Sequence, residues 1–188
     1  MQLTQLLVPT FVQMLGSFSA WLDKAAADDK HADALMSLRL APDMFPLNAQ
    51  VRFACFQALE PIYRLRGMPV PDAALAVRGE GVKSNQQLGT FDEAKACIAQ
   101  TIAWLSELEG DALDHAADKP LALDLPNGVV FDLTGETYAR DWVLPQFYFH
   151  ITTGYAILRH YGVALGKPDY AAHMGPFIRP GTLPKAVG

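Results

Sequence analysis

Basic residues are scarce in this chain. Fifteen lysines and arginines stand against twenty aspartates and glutamates, the net charge is −5, and charged residues fill 19% of the 188 positions. A nucleic-acid-binding domain carries a basic patch or stripe, so no such partner is expected. Cysteine is scarcer still. Cys55 and Cys97 form no C-x-x-C pair and have no metal-ligand spacing. A secreted chain of this size usually carries a disulfide framework, so a reducing, cytoplasmic compartment is expected. Both cysteines read as small core residues on helices. A reactive thiol needs a basic neighbour or a helix N-terminus, and neither cysteine has one beside it in sequence.

Long apolar runs are missing as well. The most apolar stretch, Trp142 to Leu158, is interrupted by Pro145, Gln146, His150, Thr152, Thr153 and Gly154. A membrane span needs about 20 mainly apolar residues, so a core helix is expected there and no membrane partner. The opening Met1-Gln-Leu-Thr-Gln5 lacks the basic region of a secretory signal. There is no internal repeat, no low-complexity tract, no nucleophile elbow, no H-E-x-x-H and no Ser/His/Asp constellation. Gly79-Glu-Gly-Val-Lys-Ser84 fails the spacing of a phosphate loop and follows no strand. Motifs alone therefore assign no chemistry.

What is present is apolar periodicity. Hydrophobic residues make up 51% of the chain, and its length can bury one core without disulfide or metal staples. Residues 3–27 place Phe11, Met14, Leu15, Phe18, Trp21, Leu22 and Ala25 at helical spacing. A short helical piece follows around Ala32 to Leu38. Pro46 suits the first position of a second helix, which runs to about Arg66 and is bent at Pro61. Residues 67–89, with Gly67, Pro69, Pro71, Gly79, Gly81 and Gly89, read as a long loop. Thr90-Phe-Asp-Glu93 is a capping box that opens a third helix to about Leu108, ended by Gly110. Over residues 119–134 the period changes to two around Pro126-Asn127-Gly128, which predicts a hairpin. Thr134 then caps a fourth helix, roughly Glu136 to Tyr161, closed by Gly162 and with Pro145 inside. The Gly/Pro-rich tail reads as extended and packed on the surface, or frayed.

These signals predict an all-α fold: a four-helix bundle over residues 1–162, with the hairpin at about 119–134 inserted before the last long helix, and an extended tail over 163–188. Strand and helix signals do not alternate, which argues against an α/β sheet.

Candidate functional residues lie on the fourth helix and at the entrance to the second. On a helical wheel Gln146, His150, Thr153 and His160 form a polar stripe beside Phe147, Ile151, Gly154 and Leu158. The helix is apolar elsewhere too, so burial on nearly all sides is expected, and its polar side chains then need partners. Arg39 and Asp43 precede helix two. They read either as an N-terminal cap with its ion pair or as a pocket rim that brings Asp43 to His150. The candidate pocket is thus Arg39, Asp43, Gln146, His150 and Thr153. No metal or other cofactor is expected. His150 is the one plausible ligand, since His160 lies about 15 Å further along the axis and helix two has no histidine. Asp111, Asp114, His115 and Asp118 read as a solvated loop, as do Asp28, Asp29 and His31. His173 lies in the tail without evident partners.

Several of these runs carry a resemblance. Arg39-Leu-Ala-Pro-Asp-Met-Phe-Pro-Leu47, Phe147-Tyr-Phe-His150, Tyr155-Ala-Ile-Leu-Arg-His-Tyr-Gly-Val-Ala-Leu-Gly-Lys167 and the stretch from Val8 to Gly16 look like the DUF1993 family, from the first helix to about Tyr170. That family carries no established activity. More distantly the chain resembles the DinB-like superfamily of four-helix bundles. Many of its members hold a divalent metal through three histidines, one on the second helix and two at i, i+4 on the last. Some are metal-dependent thiol transferases or hydrolases. Only His150 matches that triad here, because Gly154 stands four residues on and the second-helix histidine is missing. The resemblance therefore implies the fold without the triad.

Three functional readings follow. The first is a cytoplasmic small-molecule-binding bundle with its pocket near His150. The second is a divergent metal-dependent hydrolase or thiol transferase, with a divalent ion on Asp43 and His150 and water in the open position. The third is a non-catalytic homodimer. A second copy of the chain is an expected partner in any case, from the apolar surplus. Whether the protein is an enzyme stays open at this point.

Overall fold

The computed structural model describes residues 2–28 and 32–182. Asp29 and His31 of the first acidic turn, and the last six residues of the tail, lie outside the described residues. Helix α1 (Leu3–Asp28) buries Phe11, Met14, Leu15, Phe18, Trp21, Leu22 and Ala25, the stripe that its periodicity predicts, and continues it back through Leu7 to Leu3. A single turn, α2 (Ala32–Leu35), precedes α3 (Leu47–Leu65), which Pro46 opens and which buries Val51, Ala54, Cys55, Ala58 and Ile62. Helix α5 (Phe91–Ser106) starts at the predicted capping box. Thr90 Oγ1 accepts from the Glu93 amide at 3.1 Å, and the Thr90 amide donates to Glu93 Oε2 at 2.7 Å.

The hairpin also forms where expected. Strands β1 (Pro120–Asp124) and β2 (Val130–Thr134) pair antiparallel, with Leu121 opposite Leu133 and Leu123 opposite Phe131. Thr134 then caps the last helix by accepting from the Thr137 amide at 3.2 Å. That helix has three parts: α6 (Gly135–Thr137), a π-helical segment (Tyr138–Val143) and α7 (Leu144–His160). The wider π turn ends two residues before Pro145, whose missing N–H removes a regular i→i−4 bond. The four long helices close a ring around one core: α1 packs on α5 and α7, and α3 packs on the same two.

Three expectations need correction. Residues 67–89 are not a loop throughout, because Asp72–Lys83 form α4 on the outer side of α3. Gly81, one of the glycines that read as breakers, is what lets α4 approach. A Cβ on Gly81 would lie 2.6 Å from Phe53 Cε1 and 3.2 Å from Arg52 Cβ. The α4 residues buried in this contact, Ala74 and Gly81, are small, so no apolar stripe announces the helix. The tail is not extended up to Phe177 either. It makes the short helix α8 (Lys167–Tyr170) and a 3-10 segment (Ala172–Phe177). It is held on α1, where Trp21 Nε1 donates to the Asp169 carbonyl at 3.1 Å and Tyr170 stacks on Trp21 with ring centroids 5.6 Å apart. Finally, α7 is not buried on nearly all sides. It sits at one corner of the ring, touches α1 and α3, and leaves Tyr148 36% and Phe149 56% exposed.

Close approach also governs the centre of the bundle. A Cβ on Gly154 of α7 would lie 2.3 Å from Phe18 Cζ, and the Phe18 ring is fully buried beside Trp21. Gly154→Ala should destabilise the fold by roughly 1–3 kcal/mol through overpacking, despite the better helix propensity of alanine. Thr90→Ala should cost about 1 kcal/mol by removing the α5 cap. Urea midpoints of the two variants against the parent chain check both.

Candidate functional site

The polar stripe of α7 meets α3. Gln50, 2% exposed, donates from Nε2 to the Phe45 carbonyl at 3.1 Å, which turns its Oε1 toward His150. His150 Nδ1 lies 2.9 Å from that oxygen, so Nδ1 carries the proton and Nε2 the lone pair. The imidazole is flanked by Phe53 and Phe149, with ring centroids at 5.1 and 5.3 Å. Burial lowers its pKa from 6.5 to about 4.

The other sequence-nominated residues are dispersed. Thr153 is buried and returns its hydroxyl to the Phe149 carbonyl at 2.7 Å, a bond within its own helix. Gln146 is half-buried one turn before His150. Asp43 is exposed and does not cap α3, whose N-cap is Pro46 with no side-chain hydrogen bond. Arg39 does not pair with Asp43. Its Nη1 donates to Asn85 Oδ1 at 3.1 Å and to the Met44 carbonyl at 3.4 Å. The partner given to His150 is Gln50, a residue that the sequence reading did not single out. Asp114 is likewise more than a solvated loop residue. Its Oδ1 accepts from both the amide and the hydroxyl of Thr4 at 2.9 Å, and the amide bond holds its carboxyl below the usual range.

A cleft of about 430 Å³ opens between α3, α4 and α5. Its floor is Arg52, whose side chain is 5% exposed while that of its partner Glu80 is 58% exposed. The cation is thus buried and the carboxylate reaches in from the rim. Arg52 Nε donates to Glu80 Oε2 at 2.7 Å, and Nη1 donates to the Glu93 carbonyl at 3.4 Å. A guanidinium carries five N–H donors. Among the described residues no oxygen accepts from the others. Beside it Asn48, 2% exposed, donates from Nδ2 to Ser84 Oγ at 3.1 Å, while its buried Oδ1 has no partner among the described residues. Gly89, at φ +71°, covers this pair. A Cβ there would press on Glu93 Oε2 at 3.1 Å and make ordinary contact with Asn48 Nδ2 and Arg52 Nη2, at 3.5 and 3.6 Å.

The cleft continues into a second, more apolar groove of about 270 Å³, and Val77, Cys97 and Gln100 line both. Tyr63 and Trp104 stack along this second part with centroids 5.0 Å apart. The site is therefore amphipathic along its length, with a buried cation at one end and aromatic faces at the other. A signal for it exists in the sequence: Asn48, Arg52 and Cys55 stand at i, i+4 and i+7 on one face of helix two.

A closed four-helix ring with a hairpin before its last helix defines a DinB-like bundle. The crystal structure of a DinB family member protein from Shewanella denitrificans matches it with a TM-score of 0.74 and 33% sequence identity, covering 97% of this chain and 96% of that one. The chain belongs to the DUF1993 family, a domain of unknown function, whose model matches residues 3–171. No curated protein matches it. The three-histidine metal set of the superfamily does not fit the residues present. His150 is held by an amide oxygen between two phenyl rings, and position 154 is the glycine under Phe18. Among the described residues no group of three His, Cys, Asp or Glu side chains is placed to hold an ion.

The His150 environment makes a pH prediction. The unfolded chain binds this proton near pH 6.5 and the folded chain only near 4. The contribution is complete above pH 6.5 and is lost as pH falls toward 4, by about 3 kcal/mol in all. The urea-measured stability of the parent should fall across that window relative to His150→Gln, which has no such proton to bind.

Proposed function

We propose that this protein is a small-molecule-binding bundle whose ligand site is the cleft between α3, α4 and α5, and that the ligand is an elongated oxyanion. Its carboxylate or phosphate group meets Arg52 and its apolar body lies along Tyr63 and Trp104. The observation that carries this is the buried Arg52 guanidinium, which Glu80 engages through Nε and whose Nη2 donates to no protein oxygen among the described residues, at one end of a cleft whose other end is aromatic. Glu80 neutralises the guanidinium through Nε alone, and the remaining fork of an arginine suits a carboxylate or phosphate. The cleft volume falls in the range of small-molecule sites. The position differs from the His150 pocket expected at first. The two lie on either side of Phe53, whose ring meets His150 on one side and the Gly81 position on the other.

Calorimetry on Cys97→Ser protein, which excludes covalent chemistry, tests the site with 4-phenylbutyrate, inorganic phosphate and 4-phenylbutylamine. The carboxylate should bind and the amine should not, while phosphate reads the anion end alone. Arg52→Gln should weaken the carboxylate about 10- to 100-fold, the range for a lost charge-assisted hydrogen bond. Trp104→Ala should weaken 4-phenylbutyrate and leave phosphate unchanged. Equal affinity for the carboxylate and the amine overturns the proposal.

A further inference from the structure

A separate, smaller cleft of about 150 Å³ lies where the end of α3 meets the base of the hairpin. Arg64 lines it from the last turn of α3 and Arg66 from the C-cap. His115 comes from the 3-10 turn Asp114–Ala116, and Lys119 stands just ahead of β1. No aspartate or glutamate lines this cleft, in a chain whose acidic residues outnumber its basic ones by twenty to fifteen. Other cation-bearing clefts carry carboxylates in their own walls. Glu80 and Glu93 stand beside Arg52, and Glu60 and Asp124 beside Arg64 and Arg78. Arg66 and Lys119 are exposed and have no ion-pair partner among the described residues. Their backbones are nonetheless fixed. Gly67, at φ +66°, closes α3 by donating to the Arg64 carbonyl at 2.9 Å. The Lys119 amide donates to the Ala116 carbonyl at 3.0 Å, and its carbonyl accepts from the Gly135 amide at 3.1 Å. A Cβ on Gly135 would run into the Ala116 carbonyl oxygen and lie 3.2 Å from Leu65 Cδ2, so glycine lets the three segments meet. A helix C-terminus suits positive side chains, which accounts for the two arginines. It does not account for His115 and Lys119, which other segments bring to the same place.

We infer that this cleft binds one phosphoryl group, as orthophosphate or as the head of a small phosphomonoester. Three permanent cations around one small volume repel one another, and a dianion between them removes that repulsion. The size narrows the class. About 150 Å³ lies below the range of roughly 300–1,000 Å³ that encloses a drug-sized ligand, and it admits a single tetrahedral anion. Glu60 Oε1 takes both Nε and Nη2 of Arg64 at 2.9 Å, which leaves Nη1 for the anion. The fork of Arg66 matches two phosphate oxygens, and the Lys119 ammonium adds a point charge. Any organic body stays outside in solvent. Arg64 stands twelve residues beyond Arg52 on α3, about 18 Å along the axis, so this site does not depend on the oxyanion site proposed above.

The test titrates orthophosphate into the full chain and follows backbone amide shifts by NMR. The amides of Gly67, Lys119 and Gly135 should move together with one affinity, while those of Gly89 and Cys97 report the cleft beside Arg52 separately. Arg66→Ala and Lys119→Ala change exposed side chains, so the urea midpoint should hold, and each should weaken phosphate about tenfold at the first set of amides. Lys83→Ala removes an exposed charge on α4 and should leave that affinity unchanged. Acetate at equal ionic strength should bind there about tenfold more weakly than phosphate. Glycerol 3-phosphate binding as well as orthophosphate identifies a monoester head, and binding of orthophosphate alone identifies the free ion. No movement of the Gly67, Lys119 and Gly135 amides overturns the inference. So does an equal loss in Lys83→Ala, which reads general charge attraction, or equal binding of acetate. Failure of 4-phenylbutyrate to bind while phosphate still moves Gly67 and Gly135 counts against the site beside Arg52 alone.

Discussion

A single charge taken out of water organises one side of this bundle. The Arg52 guanidinium is nearly inaccessible, and a cation so placed needs both a counter-charge and hydrogen-bond acceptors. It takes the first from Glu80 of α4 and one acceptor from the Glu93 carbonyl at the start of α5. Three helices are thereby fixed relative to one another at one point. Helix α4 in particular buries little apolar surface of its own, so this ion pair and the close approach of Gly81 to Phe53 are what position it. The capping box of α5 belongs to the same assembly, since Glu93 caps its helix with its side chain and serves Arg52 with its carbonyl.

Helix α3 distributes polar groups to both of its sides. Gln50 turns toward α7 and orients the His150 imidazole, whereas Arg52 turns toward α4 and α5. Phe53 separates the two environments. On the α7 side both ends of the Gln50 amide are satisfied, by the Phe45 carbonyl and by His150 Nδ1. On the α4–α5 side the inventory does not close, because Asn48 keeps an unpaired buried oxygen and Arg52 keeps spare donors. That difference is the physical reason for placing a ligand beside Arg52 rather than beside His150.

Much of the fold was legible in the sequence because the features that encode it are local. The stripe of α1, the Thr90 capping box, the Asn127-Gly128 hairpin and the Thr134 cap all depend on residues within one or two turns of each other, and each forms where its pattern lies. The resemblance to DUF1993 and to the DinB-like bundles holds on the same ground. Local patterns misled where a contact with another element decides the outcome. Gly79 and Gly81 read as breakers, yet both lie inside α4, and Gly81 is what lets that helix approach Phe53. The apolar character of α7 suggested burial all round, but a corner position in a four-membered ring leaves one face open to Tyr148 and Phe149.

The candidate site was the least legible part, and for the same reason. Asn48, Arg52 and Cys55 share a helical face that the sequence displays, but Cys97, Glu80 and Gly89 arrive from other elements. By itself the sequence determined a one-core helical bundle with a hairpin before its last helix, because periodicity, caps and turns are short-range and additive. Only the tertiary structure decided that α4 exists, that His150 answers to Gln50, and that a buried arginine faces a cysteine across a cleft. Those depend on which helices become neighbours and on the low-dielectric environment they enclose, and neither is written in the spacing of residues along one chain.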